Sequence, residues 1–174
     1  MEFVFESVYD QQTVTAMARA LRKTVRKKHS RRSHVFGWAV ILLAVLLTLP
    51  QNGEPLDIGG KTVVTWLAAL VIFLTLLFED SLNAWIARRR MLAGTDHAVS
   101  LFTPNGYTSE TGMGNTEWRY ENIKAIAEDG NYFIFVFDKR HAQVYAKQGL
   151  KGGTAEEFRS FIADVTGIEV QVIG

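Results

Sequence analysis

The sequence has no cysteine and only three prolines among its 174 residues. Without cysteine the chain can form no disulfide, no thiolate nucleophile and no thiolate metal site, which accords with a reducing compartment. Charge is also missing from two long stretches, residues 35–50 and 62–78, which contain no Asp, Glu, Lys or Arg. The average composition, with 48% hydrophobic and 21% charged residues, therefore conceals a division into apolar and polar segments.

The two uncharged stretches predict membrane-spanning helices. About 20 apolar residues in an α-helix cross the roughly 30 Å hydrocarbon core of a bilayer. The first stretch can be extended back to Ser33 and the second forward past Asp80, so that both reach this length. Buried helices in a soluble α-domain are the alternative, but such helices normally keep a polar stripe and neither stretch has one. We therefore expect residues 35–90 to form a two-helix transmembrane hairpin, with a short external loop at 51–61.

Basic residues flank the hairpin on both outer sides, whereas the loop at 51–61 contains only Lys61. Since basic flanks stay on the cytoplasmic side of a membrane, the pattern predicts a multi-pass protein of the inner (cytoplasmic) cell membrane. Both termini are expected in the cytoplasm. The residues expected to lie at the membrane interface and to set this topology are Arg26, Lys27, Lys28, Arg31, Arg32, Arg88, Arg89 and Arg90.

Residues 1–34 are interpreted as a cytoplasmic N-terminal arm. Residues 2–9 have the composition of a short strand, and the apolar spacing from Asp10 to about Arg32 predicts an amphipathic helix with a basic face. That face has two main interpretations: it binds the anionic headgroups of the bilayer, or it is a solvated flank that only fixes topology. The flank is the preferred interpretation. Nucleic acid is not an expected partner, because the stretch lacks interleaved aromatic residues.

Residues 91–174 have a different pattern, with short strands separated by turn residues. The Asp-Gly-Asn sequence at 129–131 is a strong hairpin signal. Thr154 and Glu157 form a capping box at the start of an amphipathic helix, which Gly167 ends. Several antiparallel strands closed by one C-terminal helix are typical of a small α+β, PH-like (pleckstrin-homology-like) domain. This domain is acidic and the arm is basic, so docking of one on the other is a further hypothesis.

One set of residues in this domain is familiar: Tyr120, Glu121, Asn122, Ile123, Glu128, the apolar strand at 132–137 and Phe158. Together with the order of an arm, two spans and a strand-rich tail, this set resembles the YcxB-like family of bacterial membrane proteins. The sequence departs from the family pattern at residues 146–150, which lack the usual proline and aromatic residue. The resemblance implies the architecture and a membrane location, and it implies little about activity.

Residues for catalysis or metal binding are not evident. None of the four histidines has a second ligand at metal-binding spacing, so we expect no metal, no cofactor and no catalytic residue. Glu79 and Asp80 form an acidic pair at the end of the second span. An ionisable residue within a span indicates proton or cation handling, or a partner for the arginines at 88–90. The preferred interpretation places the pair at the membrane interface.

These patterns predict a membrane-anchored, non-enzymatic interaction or regulatory module. The hairpin would hold the folded domain at the inner membrane face, where it meets an unidentified protein partner or the lipid itself. The alternative is an oligomeric membrane component, such as a transporter accessory or an immunity-type protein, in which several copies of the hairpin assemble.

Overall fold

The computed structural model describes residues 2–50 and 58–173. Most of the predicted external loop therefore lies outside the described residues, while Gly60 and Lys61 already belong to a helix. The described helices and strands are β1 (Phe3–Val8), α1 (Gln11–Lys23), α2 (Lys27–Thr48), α3 (Gly60–Leu77), α4 (Glu79–Arg89), β2 (His97–Thr103), β3 (Gly106–Thr111), β4 (Gly114–Trp118), β5 (Ala125–Glu128), β6 (Tyr132–Val136), β7 (Ala142–Ala146), β8 (Leu150–Lys151), α5 (Ala155–Thr166) and β9 (Val170–Val172).

Helices α2 and α3 are long and apolar enough to cross a membrane, with mean hydropathies of 1.3 and 2.0 over their most apolar windows. They pack against each other in antiparallel fashion. The ring of Trp38 lies 5.8 Å from that of Phe73, and a Cβ atom on Gly37 would come within 2.8 Å of the Leu76 side chain. Almost none of the residues in either window is buried by the rest of the chain, so both helices expose apolar surface on nearly every side.

The basic helix predicted from Asp10 to about Arg32 is two helices. Helix α1 ends at Lys23, and α2 begins at Lys27 and continues without a break into the apolar stretch. The hydroxyl of Thr24 donates to the Ala20 carbonyl at 2.6 Å, and the Arg26 amide donates to Leu21, five residues earlier. These contacts compete with the regular helical hydrogen bonds, which is why the chain changes direction here.

The strands form two sheets, one with the order β4-β3-β2-β1-β8 and one with the order β7-β6-β5-β9. Strand β1, from the start of the chain, lies inside the first sheet between β2 and β8 and is antiparallel to both. Phe3 is opposite Phe102, and Val8 is opposite His97. The predicted arm of residues 1–34 thus supplies a strand to the sheet that is otherwise formed by residues 97–151.

The second sheet contains the predicted hairpin at residues 129–131, which joins the antiparallel strands β5 and β6. Strand β9 joins β5 in parallel, on the far side from β6. The domain is therefore α+β, with one antiparallel and one mixed sheet. The predicted capping box is confirmed, since the Thr154 hydroxyl accepts from the Glu157 amide and the Glu157 carboxylate accepts from the Thr154 amide. Gly167 ends α5 in the left-handed conformation, with φ of +65°.

Aromatic side chains form the core between the two sheets and α5. The Phe5 ring is fully buried and lies 4.6 Å from the Phe158 ring and 5.6 Å from those of Phe102 and Tyr145. A second cluster lies on the other face of the four-stranded sheet, where α1 covers it with Ala20 and Leu21. Because both faces of β6 are covered, its sequence is a continuous apolar run and does not alternate between apolar and polar residues. The arm thus docks on the domain mainly through apolar contacts.

Candidate functional site

A charged junction lies where helices α1, α2 and α4 meet, at the end of the hairpin. Helix α4 begins with the predicted acidic pair, Glu79 and Asp80, in its first turn. Carboxylates are favourable at this position because they interact with the positive end of the helix dipole. Each acid binds side chains of another helix. The main partners of Asp80 lie on α1, and those of Glu79 lie on α2.

Asp80 binds α1. The Arg22 guanidinium donates from Nε and Nη2 to the two carboxylate oxygens, both at 2.7 Å, and Arg19 Nε lies 3.9 Å away. The Asp80 and Arg22 side chains are only 14% and 29% exposed, so water screens this two-pronged pair weakly. The hydrogen bonds to Asp80 raise the pKa of Arg22, against the opposing effect of burial. The pairing therefore favours the charged form of the Arg22 guanidinium.

Glu79 binds α2. His34 Nε2 lies 2.7 Å from Glu79 Oε2, and the buried Ser30 hydroxyl donates to the same oxygen at 3.4 Å. Arg22 Nε is also 4.0 Å away, so this one guanidinium contacts both acids. The alternative in which the arginines at 88–90 partner the acidic pair is not what the structure shows, because the ion pairs of the two acids are with Arg19, Arg22 and His34. The arginines at 88–90 lie at the other end of α4, about 12–15 Å along the helix axis.

Replacing Asp80 with asparagine is expected to lower the free energy of unfolding by about 1–3 kcal/mol, because it leaves a part-buried guanidinium without its carboxylate. Ala20 of α1 and Ala84 of α4 are fully buried. We expect the contact between these two helices to loosen when the ion pair between them is lost. Thermal unfolding of the purified protein in detergent measures the effect. Asp164→Asn, at an exposed position of α5, is the matched control, and equal unfolding temperatures for the two variants would contradict the role of the pair.

The residues predicted to set the topology form two groups in the structure. Arg88, Arg89 and Arg90 are exposed at the end of α4, where the Arg89 guanidinium lies 3.8 Å from the centre of the Trp85 ring. Arg88 contributes to lowering the pKa of Asp10, although the main cause is the hydrogen bond that this N-cap residue accepts from the Thr13 amide.

The second group surrounds the α1–α2 turn and comprises Arg26, Lys27, Lys28, Arg31 and Arg32. Arg26 Nε donates to the Lys139 carbonyl at 2.5 Å, which brings the β6–β7 turn against this group. Lys139 and Arg140 thereby join the basic residues of the arm. Nothing local in the sequence links positions 26 and 139.

The binding role of Glu128, whose side chain is only 4% exposed, was not predicted from the sequence. Lys147 Nζ donates to its carboxylate at 2.6 Å, and Arg159 donates from Nε and Nη2 at 2.6 and 2.7 Å. Burial raises the pKa of Glu128, but the hydrogen bonds from Arg159 and Lys147 outweigh burial and leave the pKa below its usual value. The carboxylate ties β5 to α5 and to the turn after β7.

The described residues, 2–50 and 58–173, contain no group of three or more His, Asp or Glu side chains that could hold a metal ion. The four histidines are dispersed: His34 binds Glu79, and His141 Nδ1 lies 2.7 Å from the Asp138 carboxylate. Arg22, His34, Lys147 and Arg159 form ion pairs with Asp80, Glu79 and Glu128, and these pairs link different structural elements.

Comparison with known proteins gives one match. No curated protein and no solved structure matches the chain significantly. The family model described as YcxB-like protein matches residues 102–162, a segment that runs from the end of β2 into α5. It includes Tyr120, Glu128 and Phe158, three of the residues on which the resemblance was based. The resemblance is thus confirmed over this part of the sequence, and the chain carries a YcxB-like segment.

Proposed function

We propose that the chain is a membrane-anchored, non-enzymatic interaction or regulatory module. In this proposal α2 and α3 cross the inner cell membrane, and the α+β domain is held at the cytoplasmic face. The observation that carries the proposal is the pairing of β1 with β2 and β8. Strand β1 precedes both candidate spans and its partners follow them, so the two ends of the chain must lie on the same side of any membrane that the hairpin crosses.

Three further features support this arrangement. Helices α2 and α3 expose large apolar side chains, such as Leu47 at 69% and Val64 at 66%, which favour lipid over water. The basic group around the α1–α2 turn and the arginines at the end of α4 lie at the same end of the hairpin as the domain. Basic flanks are retained in the cytoplasm, which favours a cytoplasmic position for the domain.

The domain itself is proposed to be PH-like and to act by binding rather than by catalysis. Two sheets packed around an aromatic core, with α5 covering that core through Phe158 and Ile162, support the first part. The buried carboxylate of Glu128 is already bound by two cations, which supports a structural role for this charged residue. A protein partner or the lipid surface is the proposed target of the module.

The absence of cysteine allows the proposal to be tested by single-cysteine labelling in cells. Ile58→Cys introduces a thiol just before α3, at a residue that is 74% exposed, and Glu121→Cys introduces one on the exposed surface of the domain. We expect a membrane-impermeant maleimide to label position 58 in intact cells and position 121 only after lysis. The opposite pattern would overturn the orientation.

Fractionation tests the membrane location separately from the orientation. The full-length protein should sediment with membranes from a detergent-free lysate, resist extraction by alkaline carbonate, and dissolve in detergent. A folded protein that stays in the supernatant after ultracentrifugation would overturn the proposal as a whole.

A further inference from the structure

A basic cleft of about 830 Å³ lies between the α1–α2 turn and the β6–β7 turn. None of the residues that line it is acidic. Six of its lining residues carry a formal positive charge: Arg26, Lys27, Lys28, Arg32, Lys139 and Arg140. The cleft therefore concentrates positive charge from two parts of the chain more than 100 residues apart.

The two sides of the cleft are held together by the chain itself. The hydrogen bond from Arg26 Nε to the Lys139 carbonyl joins the helical side to the turn. Asp138 fixes the turn by accepting from the backbone amides of Arg140 and His141, at 2.6 and 2.8 Å. The Arg140 amide and the His141 side chain hold the pKa of Asp138 at about 2. These hydrogen bonds shape the turn from which Lys139 and Arg140 face the cleft.

A neighbouring cavity shares Lys27 with the cleft, but two of its cations are bound within the chain. There, Arg22 is bound to Asp80, and Lys23 donates to the Ile173 carbonyl at 2.6 Å. In the cleft Arg26 likewise donates to a carbonyl, but within residues 2–50 and 58–173 none of the six cations is paired with a carboxylate. The cleft side chains without such an ion pair are Arg26, Lys27, Lys28, Arg32, Lys139 and Arg140.

Like charges at this density repel one another, and a bound anion would relieve the repulsion. The positive end of the α2 dipole, at Lys27, acts in the same direction. The cleft also lies at a suitable depth for a lipid headgroup. The uncharged stretch of α2 starts at Val35, which is about 10–12 Å along the helix from Lys27 and Lys28.

We propose that this cleft binds a phosphate group, and specifically the phosphate of an anionic lipid headgroup. The inference that the phosphate belongs to a lipid rests on the proposed membrane location. The inference that a phosphate group binds rests on the cleft alone. Arg26 and Arg32 offer planar guanidinium donors for phosphate oxygens, and the lysines offer compact charges. The module would in this way recognise the phosphate content of the membrane in which it is anchored.

The test uses the full-length protein in a neutral detergent. Its unfolding temperature is measured against increasing concentrations of inorganic phosphate, short-chain phosphatidic acid, and phosphatidylcholine of the same chain length. A ligand that binds only the folded protein raises this temperature in proportion to its affinity. Lys139→Gln/Arg140→Gln removes two charges from the cleft, and Arg119→Gln/Lys151→Gln removes two exposed charges outside it.

We expect phosphatidic acid to stabilise the wild-type protein and phosphatidylcholine to have no comparable effect. The Lys139/Arg140 variant should bind about 10- to 30-fold more weakly, and the Arg119/Lys151 variant should stay within about 2-fold of wild type. Lys28→Gln/Arg32→Gln provides a second cleft variant on the helical side, with the same expected loss. Unfolding without ligand shows whether each variant is folded.

The three ligands distinguish the outcomes. Binding of phosphatidic acid supports the headgroup, and binding of inorganic phosphate alone supports the cleft as a phosphate site with a soluble ligand. Equal stabilisation by phosphatidylcholine, no stabilisation by either phosphate compound, or equal losses in the cleft and control variants would overturn the proposal. Because the measurement is made in detergent, its result is independent of the labelling and fractionation experiments.

Discussion

Replacing Phe5 with alanine is expected to lower the free energy of unfolding of the α+β domain by about 3–5 kcal/mol. The Phe5 side chain is fully buried and contacts rings from β2, β6, β7 and α5. Its removal leaves a cavity among aromatic groups that cannot close without moving two sheets. Thermal unfolding and trypsin digestion of the detergent-solubilised protein measure the loss.

Val8→Ala is the matched control for this prediction, because Val8 lies on the same strand with 48% of its surface exposed. This variant should unfold within about 0.5 kcal/mol of the wild-type protein. The hairpin itself should be unaffected in both variants, so sedimentation with membranes should not change. If the Phe5 variant were as stable as the Val8 variant, β1 would not be a core strand of the domain.

The same contacts determine which fragments can be studied. A fragment of residues 91–174 follows the boundary suggested by the sequence, but it lacks Phe3 and Phe5, which are both fully buried in the core. Its β2 and β8 would lose the strand that lies between them. Binding experiments on the domain therefore need the full-length protein, or a design in which β1 is supplied.

Glu128→Gln is expected to cost about 3 kcal/mol of stability, the lower end of the range for breaking a buried ion pair. The variant leaves Lys147 and Arg159 without a negative charge, and the 19% exposed Lys147 side chain has little access to water. Arg159 is 42% exposed, so in the variant water can hydrate part of its guanidinium. The expected loss of stability is therefore at the lower end of the range. Chemical unfolding at neutral pH measures the difference, with Glu110→Gln on the exposed side of β3 as the control.

The contribution of Glu128 should also depend on pH in a definite direction. Its pKa in the folded protein lies below the ordinary value of 4.5, so the folded state binds this proton less readily than the unfolded state. The stabilisation is therefore complete above about pH 4.5 and is lost as the pH falls toward the lowered pKa. The stability difference between wild type and Glu128→Gln should shrink in acid. A difference that grew in acid would contradict the ion-pair interpretation.

The features that the sequence predicts well are local ones. The two long apolar helices, the capping box at Thr154 and Glu157, and the hairpin at 129–131 each depend on residues within one helix or one turn. The periodicity or turn chemistry that forms them is therefore visible in a short window. The strand at the N-terminus was also predicted from its composition, but its place in the sheet was not.

The features that were missed join distant parts of the chain. Arg22 and Asp80 are 58 residues apart, and Arg26 and Lys139 are 113 residues apart. No local pattern encodes such a pair, because either residue would be equally acceptable on a solvated surface. The break near Thr24 also reflects contacts with distant parts of the chain. Helix α1 covers the four-stranded sheet, whereas α2 packs against α3. Tertiary packing here overrides a helical spacing that continues through the break.

The position of β1 also has a consequence for biosynthesis. Phe3–Val8 is synthesised first, yet its partners β2 and β8 are completed only after two hydrophobic helices have left the ribosome. Strand pairing across such a long loop is slow to form, and until then the aromatic strand has no core to enter. Correct placement of both helices thus becomes a precondition for closing the sheet. In the proposed membrane arrangement, a molecule with only one helix inserted would hold β1 and its partner strands on opposite sides of the membrane and would remain a target for proteolysis.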